Sequence, residues 1–240
     1  MSKVILVTGA NSGIGFELVR LLAEKKHTVY IGARNETAGK EAQAKLHADG
    51  LKTVKYVNID VTKLATIEAA KETIHQAEGK LDVLVNNAGI GKAEVDQRAT
   101  SLSIETIREV METNFFGLVQ TTIAFLPLLR KSANAAILNV SSELGSNSTQ
   151  ARPNAGMQFV AYSASKTAAN SYTIALAQEL RGEGIKVNAV TPGLTATKLN
   201  NYRGKSTKAG AEALLPWALM EKDGPTCLFI ASDGKSEYPW

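Results

Sequence analysis

The amino-acid sequence predicts an α/β protein: a doubly wound parallel sheet with helices on both faces. Three observations predict it. Short apolar runs alternate with helical patterns along nearly the whole chain. The runs are continuously apolar rather than alternating, as strands buried on both faces must be. A glycine-rich turn joins the first such run to the first helical pattern.

The elements follow in order. Lys3–Thr8 reads as a buried strand, then glycines, then a helix over Ile14–Lys25. Thr28–Gly32 is the second strand, and Glu36–His47 a helix with Ala38, Ala42 and Leu46 on one face. Val54–Ile59 is the third strand. Thr62–Ala77 is the next helix, with Thr62 a candidate cap. Leu81–Val85 is the fourth strand. Ile104–Arg130 is mainly helical, with a break near Thr113-Asn114, and Ala136–Val140 is the fifth strand. Tyr162–Arg181 is a helix closed by Gly182 and Gly184. Ile185–Val190 is the sixth strand, Ala209–Met220 a short helix and Thr226–Ala231 a last edge strand. The least regular stretches, Ser142–Phe159 and Thr195–Lys208, each follow a strand end. Open α/β sheets bind ligands beyond the carboxyl ends of their strands, so these loops are where a substrate is expected.

Length and composition narrow the function. The chain has 240 residues, enough for one large domain and short for two, and it contains no repeat or Pro/Gly linker; 1–240 is expected to act as one unit. The net charge of +4 comes from scattered groups such as Lys25-Lys26, Arg130-Lys131 and Lys205/Lys208. No basic stripe interleaved with aromatics marks a nucleic-acid partner. The single cysteine, Cys227, allows no internal disulfide, and His27, His47 and His75 lie apart, so no metal site is expected. Val4–Val7 is too short for a signal segment and no stretch reaches membrane-span length. A cytoplasmic protein acting on a small molecule is the expectation.

The residues that carry chemistry cluster at predicted strand ends. In Thr8-Gly9-Ala10-Asn11-Ser12-Gly13-Ile14-Gly15, three residues separate Gly9 from Gly13 and one separates Gly13 from Gly15. Glycine permits the turn and close approach of a pyrophosphate, and the helix N-terminus offers free N–H groups. An NAD enzyme places an acid at the end of the second strand, about 20 residues further on. Here the residues are Gly32, Ala33 and Arg34. A guanidinium there suits a 2′-phosphate, which points to NADP(H). In Tyr162-Ser163-Ala164-Ser165-Lys166, a phenol and an ammonium stand four residues apart on one helix face. A nearby cation lowers a phenol's pKa, so the expectation is a proton donor tuned by Lys166. Ile137–Ser142 and Asn86–Gly89 both close apolar strands and should face the same sheet edge.

Together these marks resemble the short-chain dehydrogenase/reductase family over essentially the whole chain, and its carbonyl-reductase-like members in particular. They stand in order: Thr8–Gly15, Asp60-Val61, Asn86–Gly89, Asn114, Ser142, Tyr162/Lys166 and Pro192-Gly193, with the endings Gly224-Pro225-Thr226 and Tyr238-Pro239-Trp240. The resemblance implies a Rossmann-type fold and a catalytic tetrad. Tyr162 exchanges a proton with the substrate oxygen, Ser142 holds that oxygen, Lys166 bonds the nicotinamide ribose, and Asn114 supports Lys166 through a water. It also implies a cofactor site. Gly9, Asn11, Ser12, Gly13, Ile14 and Gly15 take the pyrophosphate end. Asp60 and Val61 meet the adenine, and Asn87, Ala88 and Gly89 line the adenosine ribose. Pro192, Gly193 and Thr195 lie along the carboxamide, and Thr197 reaches a phosphate. Glu143, Leu144, Phe159, Tyr202 and Ile90 are candidate substrate contacts. The segment between Ser142 and Tyr162, with Asn147, Gln150, Arg152, Pro153 and Asn154, is longer than most members have. In monomeric carbonyl-reductase relatives an insertion here covers helices used for tetramer contacts, so a monomer or homodimer is expected. Carbonyl reduction with NADPH leads the functional reading. Alcohol oxidation with NADP⁺ and a non-catalytic NADP(H)-binding sensor are the alternatives.

Overall fold

The computed structural model of the chain describes residues 2–153, 155 and 159–240. Its seven strands are β1 Val4–Thr8, β2 Thr28–Ala33, β3 Val54–Asn58, β4 Val83–Asn86, β5 Ala136–Val140, β6 Lys186–Val190 and β7 Phe229–Ile230. All pair in parallel, in the order β3-β2-β1-β4-β5-β6-β7. The order reverses direction beside β1, and a crevice opens at that switch point on the carboxyl edge.

The helices are α1 Gly13–Glu24, α2 Glu36–Ala48, α3 Leu64–Glu78, α4 Ile104–Met111, α5 Gly117–Leu129, the one-turn α6 Asn147–Gln150, α7 Val160–Glu179 and α8 Thr207–Ala218. Successive strand residues point to opposite faces, and β1 shows the result. Ile5 and Val7 join Leu18, Leu22, Leu214 and Ala218 in the core under α1 and α8, whereas Val4 and Leu6 join Ile67, Ile74, Phe125 and Leu176 under α3, α5 and α7. This is the expected three-layer α/β/α, Rossmann-type fold.

A buried polar lattice ties the second layer to the sheet. The Asn86 amide donates to Thr122 Oγ1 and to Asn139 Oδ1, each at 2.9 Å, and Asn139 donates to Thr173 Oγ1 at 2.8 Å. Neighbouring strands β4 and β5 are thereby locked to α5 and α7, the helices that carry the site.

Three local expectations change. The break near Thr113-Asn114 is a π-helical turn, Glu112–Phe116, between α4 and α5, and Asn114 is its buried residue. Single π turns inside α-helices are rare and gather at functional sites. Thr62 does not cap α3. Its hydroxyl and N–H both donate to Asp60 Oδ1, and Lys63 takes the cap position with no side-chain bond. The last strand is two residues long rather than six: Cys227 at φ 67° breaks extended backbone before it, and a turn in which Ala231 N donates to Ser236 O follows it. No described helix is long and apolar enough to cross a membrane.

Candidate active site

A cavity of about 880 Å³ opens along the carboxyl ends of the strands, within the range typical of small-molecule sites. The glycine turn lies at one end of it, and Ser142 and Tyr162 lie at the other.

The turn is built for close approach. Gly9 and Gly13 both stand at φ 63°, a region that side chains avoid. A Cβ at Gly9 would sit 2.8 Å from Ala88 Cα. The Asn87 amide donates to Thr8 O at 2.8 Å and Gly9 O at 3.2 Å, so it stitches the turn to β4. That engages the Asn87 amide with the turn, and Asn87, Ala88 and Gly89 all line the cavity wall. Ser12 stands at the N-cap of α1 but makes no side-chain cap bond, and no acid lies in the first turn. The first N–H groups of α1 thus keep their hydrogen-bonding capacity and partial positive charge for an anion. Thr197 lies across the turn, its methyl 3.6 Å from where a Gly13 Cβ would be. Asn11, Ile14 and Gly15 complete this wall.

Arg34 lies just past β2, exposed and lining the cavity. Its charge helps to hold the Asp60 carboxyl below its usual range. Burial pushes Asp60 the other way, but the Thr62 bonds, Lys63 and Arg34 together outweigh it. Val61 is buried, and its carbonyl accepts from Gln120.

At the other end, Tyr162 stands in the first turn of α7 and Lys166 one turn further on, with Lys166 Nζ 5.7 Å from the Tyr162 ring centre. The expected tuning of the phenol is not what the geometry gives. Burial pushes the Tyr162 phenol up to about 12, the Glu143 carboxylate adds to the rise, and the Ser142 hydroxyl opposes it. Lys166 is itself buried, which lowers it to about 8, and its Nζ donates to Val140 O at 2.8 Å. The cation therefore leans on the end of β5 instead of offsetting the cost of a phenolate.

Asn114 is fixed on both sides. Its Oδ1 accepts from Ile90 N at 2.9 Å, and its amide donates to Ile90 O at 2.9 Å and Ser165 Oγ at 3.0 Å. It makes no direct bond to Lys166. Gly89 lies between them, where a Cβ would be 3.3 Å from Asn114 Oδ1 and 3.8 Å from Lys166 Nζ.

Ser142 caps a short 3₁₀ turn, Glu143–Gly145, accepting from Leu144 N at 3.2 Å. Glu143, Leu144, Phe159, Tyr202 and Ile90 all reach the cavity. Pro192 and Gly193 line it after β6. Thr195 is buried, and its hydroxyl donates to Pro192 O and Gly193 O. In the loop beyond, the Asn200 amide donates to Thr195 O and Arg203 O, which folds the segment back on itself, and Tyr202 is exposed at φ 60°. Of the insertion, Asn147, Gln150, Arg152 and Pro153 are described, and Asn154 lies outside the described residues.

Two tethers escaped sequence reasoning. Gln97 is 2% exposed; its amide donates to Gly91 O at 2.7 Å and Lys92 O at 2.9 Å, and its Oε1 accepts from Tyr162 N at 3.3 Å. It staples the loop after β4 to the start of α7. Ser146 is buried and donates to Pro239 O at 2.6 Å, which ties the segment after Ser142 to the C-terminal residues, where Trp240 stacks on Phe229. A lone glutamine or serine in a polar loop carries no spacing signal.

Fold and site together define a Rossmann-type protein with a glycine turn at a helix N-terminus and a tyrosine–lysine pair, both at one sheet edge. The chain belongs to the short-chain dehydrogenase/reductase family: residues 3–208 match the short chain dehydrogenase family. It is 32% identical to short-chain dehydrogenase/reductase 1 of Saponaria officinalis, over 95% of this chain and 93% of that one. It is 36% identical to a 3-ketodihydrosphingosine reductase of Bacteroides thetaiotaomicron, over 87% of this chain and 70% of the relative. Among solved structures, an NADPH-bound carbonyl reductase from chicken fatty liver superposes with a TM-score of 0.87 at 26% identity, covering 100% of this chain and 99% of that one.

Proposed function

We propose that this protein is an NADP(H)-dependent oxidoreductase interconverting a ketone or aldehyde and an alcohol, acting as a carbonyl reductase in the cytoplasm. Residues 1–240 act as one unit for cofactor binding and catalysis. The observation that carries the reading is the span of one cavity, from the glycine turn and Arg34 to Ser142 and Tyr162. The cofactor assignment rests on the cation at the end of β2, where a NAD enzyme would hold an acid. The likeness to an NADPH-bound carbonyl reductase supports it.

The residues present fit the cofactor. Uncapped α1 and glycines without Cβ atoms leave room and donors for a pyrophosphate. Arg34 would hold the 2′-phosphate, Asp60 and Val61 the adenine, and Asn87, Ala88 and Gly89 the adenosine ribose. Pro192, Gly193 and Thr195 would border the carboxamide, Thr197 a phosphate, and Lys166 the nicotinamide ribose. When bound, the cofactor supplies or accepts the hydride at the carbonyl carbon.

The chain's own residues handle the oxygen. Ser142 donates a hydrogen bond to it and so stabilises the charge that develops there. A phenol held near 12 is protonated at neutral pH, so Tyr162 is available as the donor. An alkoxide forming beside it is a stronger base and takes that proton. Lys166, close to half-charged near pH 8, stabilises the phenolate left behind once it turns from Val140 O. Asn114 fixes the π turn and the Ile90 backbone beside Lys166. Apolar Leu144, Phe159 and Ile90 shield the reacting carbon.

NADPH consumption across a panel of ketones and aldehydes tests the reading. Turnover with NADPH well above NADH is expected. NADPH binding without turnover of any carbonyl would favour a sensor instead.

A further inference from the structure

Beside the reacting groups the cavity wall carries apolar Leu144, Phe159 and Ile90 and one carboxylate, Glu143, while Lys198 and Asn200 line it from the loop after β6. Glu143 follows Ser142 directly, is half-buried and lines the cavity. Its Oε2 accepts from Thr191 Oγ1 at 3.1 Å, and Thr191 is 1% exposed, so the carboxylate is held from the end of β6. Its charge is felt at the Tyr162 phenol, which places it within electrostatic reach of the reacting oxygen.

Among the described residues, no lysine, arginine or histidine pairs with Glu143. The residues outside the description add no cationic side chain. Arg34 follows β2, three strands away, at roughly 14 Å by sheet spacing. Lys166 Nζ is turned to Val140 O. A half-buried carboxylate with no cation paired to it in the described structure leaves its charge facing the cavity, where a bound substrate that displaces water would meet it. This one also works against formation of a phenolate next door. A purely structural acceptor for Thr191 would need no charge, since an amide oxygen serves as well.

We infer that Glu143 is a specificity residue for cationic substrates, so that the protein favours ketones or aldehydes bearing a protonated amine a few bonds from the carbonyl. The inference rests on the carbonyl-reductase reading above. With the carbonyl oxygen at Ser142 and Tyr162, an ammonium two to four bonds away falls within the range over which the Glu143 charge already acts on the Tyr162 phenol, on the wall of the same cavity. An anionic keto acid meets repulsion.

Three ketones of one shape test this at pH 7 with saturating NADPH: β-(dimethylamino)propiophenone, its neutral carbon isostere isocaprophenone, and the anion β-benzoylpropionate. The wild type should prefer them in that order. The cation should exceed the neutral ketone in kcat/KM by about tenfold or more, the worth of a charge-assisted hydrogen bond. Glu143→Gln keeps an acceptor for Thr191 and should bring the cation-to-neutral ratio close to one, whereas Glu143→Asp should retain the preference. A wild-type ratio near one, or a ratio unchanged in Glu143→Gln, overturns the inference while turnover of the neutral ketone leaves the carbonyl-reductase reading standing. The wild-type ratio decides even if a variant fails to fold. Failure of all three ketones and of the wider carbonyl panel would overturn both.

Discussion

Gln97→Ala removes a side chain that touches no proposed reacting atom yet should lower both stability and turnover. Three side-chain hydrogen bonds disappear, at 2.7, 2.9 and 3.3 Å. The bond from Gln97 O to Val160 N, at 3.2 Å, survives because it is backbone. At about 0.5–1.5 kcal/mol per bond, with the longest at the low end, the loss is about 2–3 kcal/mol. The first turn of α7 then holds Tyr162 less firmly, and a misplacement near 1 Å costs on the order of 100-fold in rate. Urea unfolding should show a lower midpoint at unchanged slope. Kinetics should show kcat falling about 10- to 100-fold with a smaller change in KM. An unchanged midpoint together with wild-type kcat would refute the idea that Gln97 positions Tyr162. Gln97→Glu sets a buried carboxylate oxygen against the Gly91 and Lys92 carbonyls and should lower the midpoint at least as far as Gln97→Ala.

Three further outcomes follow from the same geometry. Arg34→Ala should weaken NADPH by about 10- to 100-fold and leave NADH nearly unchanged; equal effects on the two would show that Arg34 does not read the 2′-phosphate. Burial lowers Lys166 to about 8 from its ordinary 10.5, so between these values the unfolded chain binds the extra proton. Stability should therefore rise with pH across that window, by on the order of 3 kcal/mol from this group. Urea midpoints against pH should show that gain in the wild type and lose it in Lys166→Met. The segment after Ser142 packs along α7, with the Thr167 hydroxyl donating to Gly145 O at 3.1 Å, and should leave the protein a monomer or homodimer. A stable tetramer in light scattering would reject that.

Much of this was legible in the sequence because the signals were periodic or local. Continuous apolar runs such as Val4–Val7 announce strands buried on both faces, and glycine spacing announces a turn at a helix start. The pairing of Tyr162 with Lys166 follows from helical period alone. What stayed hidden depended on contacts across the chain. Gln97 meets Tyr162 over 65 residues and Ser146 meets Pro239 over 93, and neither has a spacing to read. The direction of the Tyr162 shift was misread for the same reason. Proximity to Lys166 shows in sequence, but the depth of burial, the Glu143 charge and the Val140 carbonyl that engages Lys166 do not. Cap assignment failed at Thr62 because Asp60, two residues earlier, competes for its hydroxyl.

The central claim is tested most directly by single-turnover NADPH oxidation in Tyr162→Phe, with the best carbonyl found in the panel. Loss of the proton donor should slow the chemical step by about 100-fold or more, with a far smaller change in NADPH affinity. A rate within a few-fold of wild type would contradict the assignment of Tyr162 as the acid.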